Sequence, residues 1–127
     1  MRRVFKVREF DRWMRKTDLT DEALCAAVVE MAAGLIDADL GGGVFKKRLA
    51  LPGRGKSSGV RTLLATNQGN RWFFVYGFEK AERSNITEKE LVALKLLAAD
   101  LLARTSAQLD ALVGRLALKE ICRDIER

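Results

Sequence analysis

The spacing of apolar and polar positions changes period several times along the chain, and each change marks an element. Val4-Phe5-Lys6-Val7, β-branched and aromatic, predicts a short strand. Over residues 9–16, Phe10, Trp13 and Met14 recur at helical spacing, with Trp13 as a core anchor. Thr20 then stands as an N-cap before Asp21 and Glu22, carboxylates that a helix dipole favours in its first turn. Leu19 and Leu24 take the staple positions, and the helix runs through Val28, Val29 and Met31 to about Gly34 or Leu35. Residues 37–43, ending in three glycines, predict a loop.

Period two takes over at residue 44. Over residues 44–51, Phe45, Lys47, Leu49 and Leu51 share one face of a strand, and Lys46 and Arg48 share the other with Val44 and Ala50. Residues 60–66 predict the next strand, and Asn67-Gln-Gly-Asn70 a hairpin turn. Residues 71–78 are nearly continuous apolar, as in an interior strand covered on both faces. After a polar loop over 79–86, Thr87 and Glu90 form a capping box, stapled by Ile86 and Leu91. Leu91, Leu94, Leu97, Ala98 and Leu101 then continue a helix. Thr105-Ser-Ala-Gln108 either caps a further helix or lies within a continuous one, whose stripe is Leu109, Leu112, Val113, Leu116 and Ile121. That stripe packs in the core, covers an edge where a partner docks or mediates dimerisation; the pattern leaves all three open.

The order β-α-α-β-β-β-α, with an extra C-terminal helix, predicts an α+β fold: a small antiparallel sheet with helices packed on one face. At 127 residues and 48% apolar content, a single domain over 1–127 is expected, with 104–127 as a C-terminal helical extension. No apolar run reaches membrane-spanning length, and the basic N-terminus lacks the apolar stretch of a signal peptide. Cys25 and Cys122 sit far apart in apolar patterns and are expected to be small buried thiols rather than a disulfide or a metal pair, which suits a reducing cytoplasm.

Charge and the absence of one residue type narrow the chemistry. The chain has no histidine, so imidazole bases, Ser-His or Cys-His nucleophiles and His-ligated metals are excluded. The formal charge is +6, unevenly spread. Residues 40–78 contain no carboxylate but hold Lys46, Lys47, Arg48, Arg54, Lys56, Arg61 and Arg71, while the remainder has sixteen basic against seventeen acidic residues. A segment of one sign this long predicts an anion-binding surface, with nucleic acid as the leading partner.

Within it lies "LPGRGKSSGVR", residues 51–61. It is not a phosphate-binding P-loop: Gly55-Lys56-Ser57 match, but Ala50 stands where the first glycine belongs, and a strand pattern follows instead of a helix. The loop is still suited to anions. Gly53, Gly55 and Gly59 allow close backbone approach, Arg54 and Lys56 bring charge, Ser57 and Ser58 bring hydroxyls, and Arg61 begins a rigid strand.

"KKRLALPGRGKSSGVRTLLA" followed by "RWFFVYGFEKAERSNITEKELVALKLLA" resembles the RelE/ParE superfamily of type II toxins, in its RelE/HigB-like branch, over about residues 44–99. The resemblance implies a toxin of a toxin–antitoxin system: a metal-independent endoribonuclease, or mRNA interferase, that inhibits translation on the ribosome and needs no cofactor. It also implies a cytoplasmic location and a small cognate antitoxin, often with a helix-turn-helix through which alone DNA is contacted. By motif, the catalytic cations implied are Lys56, Arg61 and Arg83, with Lys80 beside them. Lys46, Arg48, Arg54, Ser57 and Ser58 are implied to bind RNA. Some members carry a tyrosine just after the Arg-Ser; here Asn85, Ile86 and Thr87 take that place, and the sole tyrosine is Tyr76 in the apolar strand. The alternatives are a ParE-like toxin that blocks gyrase, or one that binds without cleaving, and a plain nucleic-acid-binding module.

Overall fold

The computed structural model describes residues 2–53 and 59–123. The chain runs β1 (Arg3–Val7), α1 (Arg8–Met14), α2 (Asp21–Ala32), β2 (Ala38–Gly41), β3 (Val44–Leu49), β4 (Val60–Thr66), β5 (Arg71–Glu79), α3 (Glu88–Leu102), α4 (Ser106–Gly114) and β6 (Leu118–Ile121). Three threonines start three helices. Thr20 accepts from the Ala23 amide, and Thr87 and Thr105 complete reciprocal capping boxes with Glu90 and Gln108. Among the described residues no helix is long and apolar enough to cross a membrane.

The α+β class holds, the predicted elements recur with two further strands, and a single six-stranded sheet, ordered β2-β3-β4-β5-β1-β6, gathers the strands. It is mixed rather than purely antiparallel, because β1 lies parallel to β5. The helices flank both faces rather than one. On the first face, Phe10 and Met14 of α1 and Leu24, Val28 and Met31 of α2 pack on Val4, Phe45, Leu64, Trp72 and Phe74. On the second, Leu94, Ala98 and Leu101 of α3 and Leu109 of α4 pack on Phe5, Val44, Leu63, Ala65 and Phe73. Successive strand residues point to opposite faces, so strands with apolar residues at both parities need two helical layers. All seven residues of β4 are buried for this reason.

Two strands lie where other structure is expected. β2 occupies residues read as loop, joined to β3 through Gly42 and Gly43 at φ 62° and 83°. Two consecutive positive-φ residues make the tight turn that suits a hairpin, and glycine adopts them without strain. β6 takes in Ile121, assigned above to a helical stripe; α4 stops at Gly114 and Leu116 turns the chain at φ 62°. Four residues are too few for period two to declare itself, and the partner strand β1 is at the other end of the chain.

The cysteines also correct an expectation. Cys25, buried in α2, and Cys122, just after β6, form a disulfide across 97 positions of sequence. Both belong to the first-face core, so their distance in sequence says nothing of their distance in space. Two buried cations are paired as well. Lys6 Nζ lies 2.6 Å from Asp11 and 2.8 Å from Asp21, and Lys47 Nζ lies 2.9 Å from Glu30.

Candidate nucleic-acid interface

The site begins with an irregularity in β5. The register with β4 shifts between Leu63 and Leu64, so that Leu64 faces Phe74 while Leu63 faces Tyr76, and Val75 is the extra residue. Strict alternation from Phe74 would put Tyr76 and Phe78 on the first face. The bulge sends them to the second face and leaves Gly77 on the first, against the Trp13 ring, where a Cβ would overlap the indole. A bulge re-aims side chains, and here it aims two aromatics at the predicted cations.

Two rows result across β3, β4 and β5. Arg48, Arg61 and Phe78 are opposite one another, and beside them Lys46, Leu63 and Tyr76. Arg61 is buried and Arg48 exposed. Two arginines directly opposite on neighbouring strands repel, which a sheet tolerates where the charge is used or neutralised. Arg48 is neutralised from outside the basic segment. Its amide donates to Asp37 at 2.7 Å and its Nε at 3.1 Å. Burial pushes the Asp37 carboxyl up, but the Arg48 bonds outweigh it and hold it below the ordinary carboxylate range.

Arg83 arrives from the loop after β5. Its guanidinium carbon sits 5.6 Å from the Phe78 ring centre. It donates to Glu90 through both terminal nitrogens, at 2.6 and 3.0 Å, to the Tyr76 hydroxyl at 3.0 Å and to the Asn85 carbonyl at 2.9 Å. The bidentate pair raises the Arg83 pKa and, with the Thr87 amide, drops Glu90 to about 2. Glu90 thereby works twice, capping α3 and holding Arg83. Burial, then the Glu90 charge, pushes the Tyr76 phenol up, and its hydroxyl donates to Glu90 at 3.2 Å.

The other predicted residues are placed as follows. Lys46 Nζ reaches the Asn85 side-chain oxygen at 3.5 Å, tying β3 to the Arg83 loop. The Lys80 amide donates to the Gly59 carbonyl at 3.1 Å, so its backbone extends the β4–β5 pairing one step past Val60 and Glu79 while its side chain is exposed. Arg54, Lys56, Ser57 and Ser58 lie outside the described residues. The structure thus brings Arg61, Arg83, Arg48 and Lys46 to one end of the second face. It removes Lys47 to the first face with Glu30, and Arg71 to the far end of β5, where it donates to Ser106 at 2.8 Å. Tyr76, Asn85 and Glu90 are participants the sequence reading passed over. The Tyr76 position depends on the bulge, which leaves no mark in the hydrophobic pattern, whereas Glu90 is visible as a capping residue but not as a partner of Arg83.

A sequence profile described as RelE toxin of RelE / RelB toxin-antitoxin system matches residues 2–121. No curated protein matches the chain. The match takes in the sheet, all four helices and every described residue of the cationic end, and with it the chain belongs to the RelE toxin family, whose members pair with an antitoxin.

Proposed function

We propose that this toxin is an mRNA endoribonuclease of the HigB-like branch, acting on the ribosome to inhibit translation. The observation that carries the reading is convergence. Arg61 from β4 and Arg83 from the loop after β5, twenty-two residues on, both adjoin Phe78 on one end of the sheet. Two guanidinium groups so held are suited to the non-bridging oxygens of a phosphodiester, whose charge grows in the transition state. In this reading Lys56 takes the proton from a 2′-hydroxyl. That oxygen attacks the adjacent phosphorus, and the departing 5′-oxygen is protonated by Lys80 or Arg54. Lys46, Arg48, Ser57 and Ser58 align the strand for in-line attack. The antitoxin is a small helix-turn-helix protein, DNA is met only through it, and the place of action is the cytoplasm. There the Cys25–Cys122 bond faces reductants that open such bridges.

Two observations favour the binding-only alternative, in which a ParE-like or cleavage-deficient toxin blocks its target. Arg83 is already bidentate with Glu90, and no tyrosine follows the Arg-Ser pair. The experiment is induction of the wild type beside Arg61→Ala, with transcript ends mapped and purified protein added to ribosomes and to gyrase. New transcript ends that vanish in a folded Arg61→Ala protein are the expected result. Inhibited gyrase with intact transcripts overturns the nuclease reading in favour of the alternative.

A further inference from the structure

A second cationic surface lies at the opposite side of the sheet, and the charge count along the sequence hides it. β6 is last in the strand order and pairs with β1 alone, so its outer backbone edge faces no strand among the described residues. A groove of about 760 Å³ follows that edge. Its walls come from both layers, Arg8, Asp11 and Arg15 around α1 on one side and Val113 of α4 on the other, which places the strand edge along its length.

Five cations line it: Arg8, Arg15, Arg115, Lys119 and Arg123, all exposed. The two carboxylates that line it are taken. Asp11 bonds Lys6 and Arg15, which together outweigh its burial and lower its pKa, and Glu120 holds Arg3 at 2.8 Å. Arg115, Lys119 and Arg123 meet no carboxylate among the described residues. Between the cations lie Val113, Leu118 and Leu116, the last 77% exposed.

We propose that this edge is a docking site for an extended acidic segment of a partner protein, which adds to β6 as a further strand. An unpaired strand edge offers alternating amide donors and carbonyl acceptors, and a peptide satisfies both. A phosphodiester backbone accepts from the amides but leaves the carbonyls unmet, and it has no use for the apolar floor. Glutamates or aspartates at alternate positions meet the arginines, and apolar residues between them cover Leu116 and Val113. The site is separate from the proposed RNA surface: β1 and β6 stand between it and β5 in the strand order. It therefore stands or falls independently of nuclease activity.

The test uses the full chain and a fluorescein-labelled synthetic peptide of alternating Glu and Val, eight residues long. Controls are the Lys/Val counterpart, the Glu/Val peptide N-methylated on alternate amides, and single-stranded RNA of equal charge. Anisotropy is expected to show binding of the acidic peptide only, weakened about tenfold or more by Arg115→Glu with Lys119→Glu. Hydrogen exchange is expected to slow at β6 amides on binding, and N-methylation to abolish it. The double variant is exposed and is checked by its thermal midpoint; should it unfold, loss of β6 protection with the N-methylated peptide decides alone. Absent binding, equal binding of the N-methylated peptide, unchanged affinity in the folded variant, or preferential capture of RNA at this edge each overturns the proposal.

Discussion

Breaking the Cys25–Cys122 bond is expected to cost this protein a large share of its stability without rearranging the folded state. The bridge closes 97 positions of sequence, and a loop of that size restricts the unfolded chain by about 4.7 kcal/mol at 25 °C on the chain-entropy account. The folded side changes little. Both sulfurs are buried in an apolar cluster where free thiols pack as small hydrophobic groups, and β6 stays held by the Arg3–Glu120 pair and by Ile121 in the core. Against a typical total of about 5–15 kcal/mol, the loss takes the protein toward marginal stability. With an unfolding entropy of about 2.1 cal/mol/K per residue, it corresponds to a melting shift of very roughly 10–18 °C. The assay is urea unfolding followed by fluorescence of Trp13 and Trp72, with and without a phosphine reductant, and again on Cys122→Ala. Intact mass under non-reducing conditions, lower by two hydrogens, establishes that the bridge is present. If verified oxidised protein and the reduced form unfold within about 1 kcal/mol of each other, the reasoning from loop closure fails.

Three further outcomes are expected. Gly77→Ala forces a methyl into the Trp13 ring and destabilises by about 1–3 kcal/mol, read as a lower urea midpoint; a Trp13→Ala background removes most of that penalty. The Arg83–Glu90 pair stabilises through a carboxyl depressed in the folded state, so its contribution is complete above the ordinary Glu value of 4.5 and is lost as pH falls toward 2. Carbon NMR of the Glu90 carboxyl is expected to titrate near 2 in the wild type and to move up toward 4.5 in Arg83→Ala; an unmoved midpoint refutes the pairing. Arg83→Lys keeps the charge but forfeits the fork that spans Glu90 and Tyr76, and is expected to lower toxicity on induction by about 10-fold or more, with the melting temperature nearly retained.

What the sequence disclosed, and what it kept back, divides along the range of the interactions involved. Caps are local: Thr20 and Thr87 each start a helix where their side chains predict, and at Thr105 the structure takes the capping one of the two readings left open. The β3–β4–β5 meander is nearly local, and its alternation places Lys46 and Arg48 opposite Phe45 and Leu49 correctly. Pairings between distant segments leave no such trace. Asp37 quenches Arg48 and Glu30 quenches Lys47, so a segment without carboxylates does not produce a surface of one sign. Cys25 and Cys122 meet for the same reason, through β6 folding back on β1. Tyr76 is a different case: one extra residue in β5 reverses its face, and nothing in an apolar run betrays a shift of one.

The seat of β1 has a bearing on how the protein comes into being. The first of the described strands in chain order is flanked in the finished sheet by β5 and by β6, the last of them. The hairpins of β3, β4 and β5 can zip up as they emerge, but the N-terminal strand has neither neighbour until most of the chain exists. The sheet therefore closes around β1 late, when strands made well after it arrive on both of its sides.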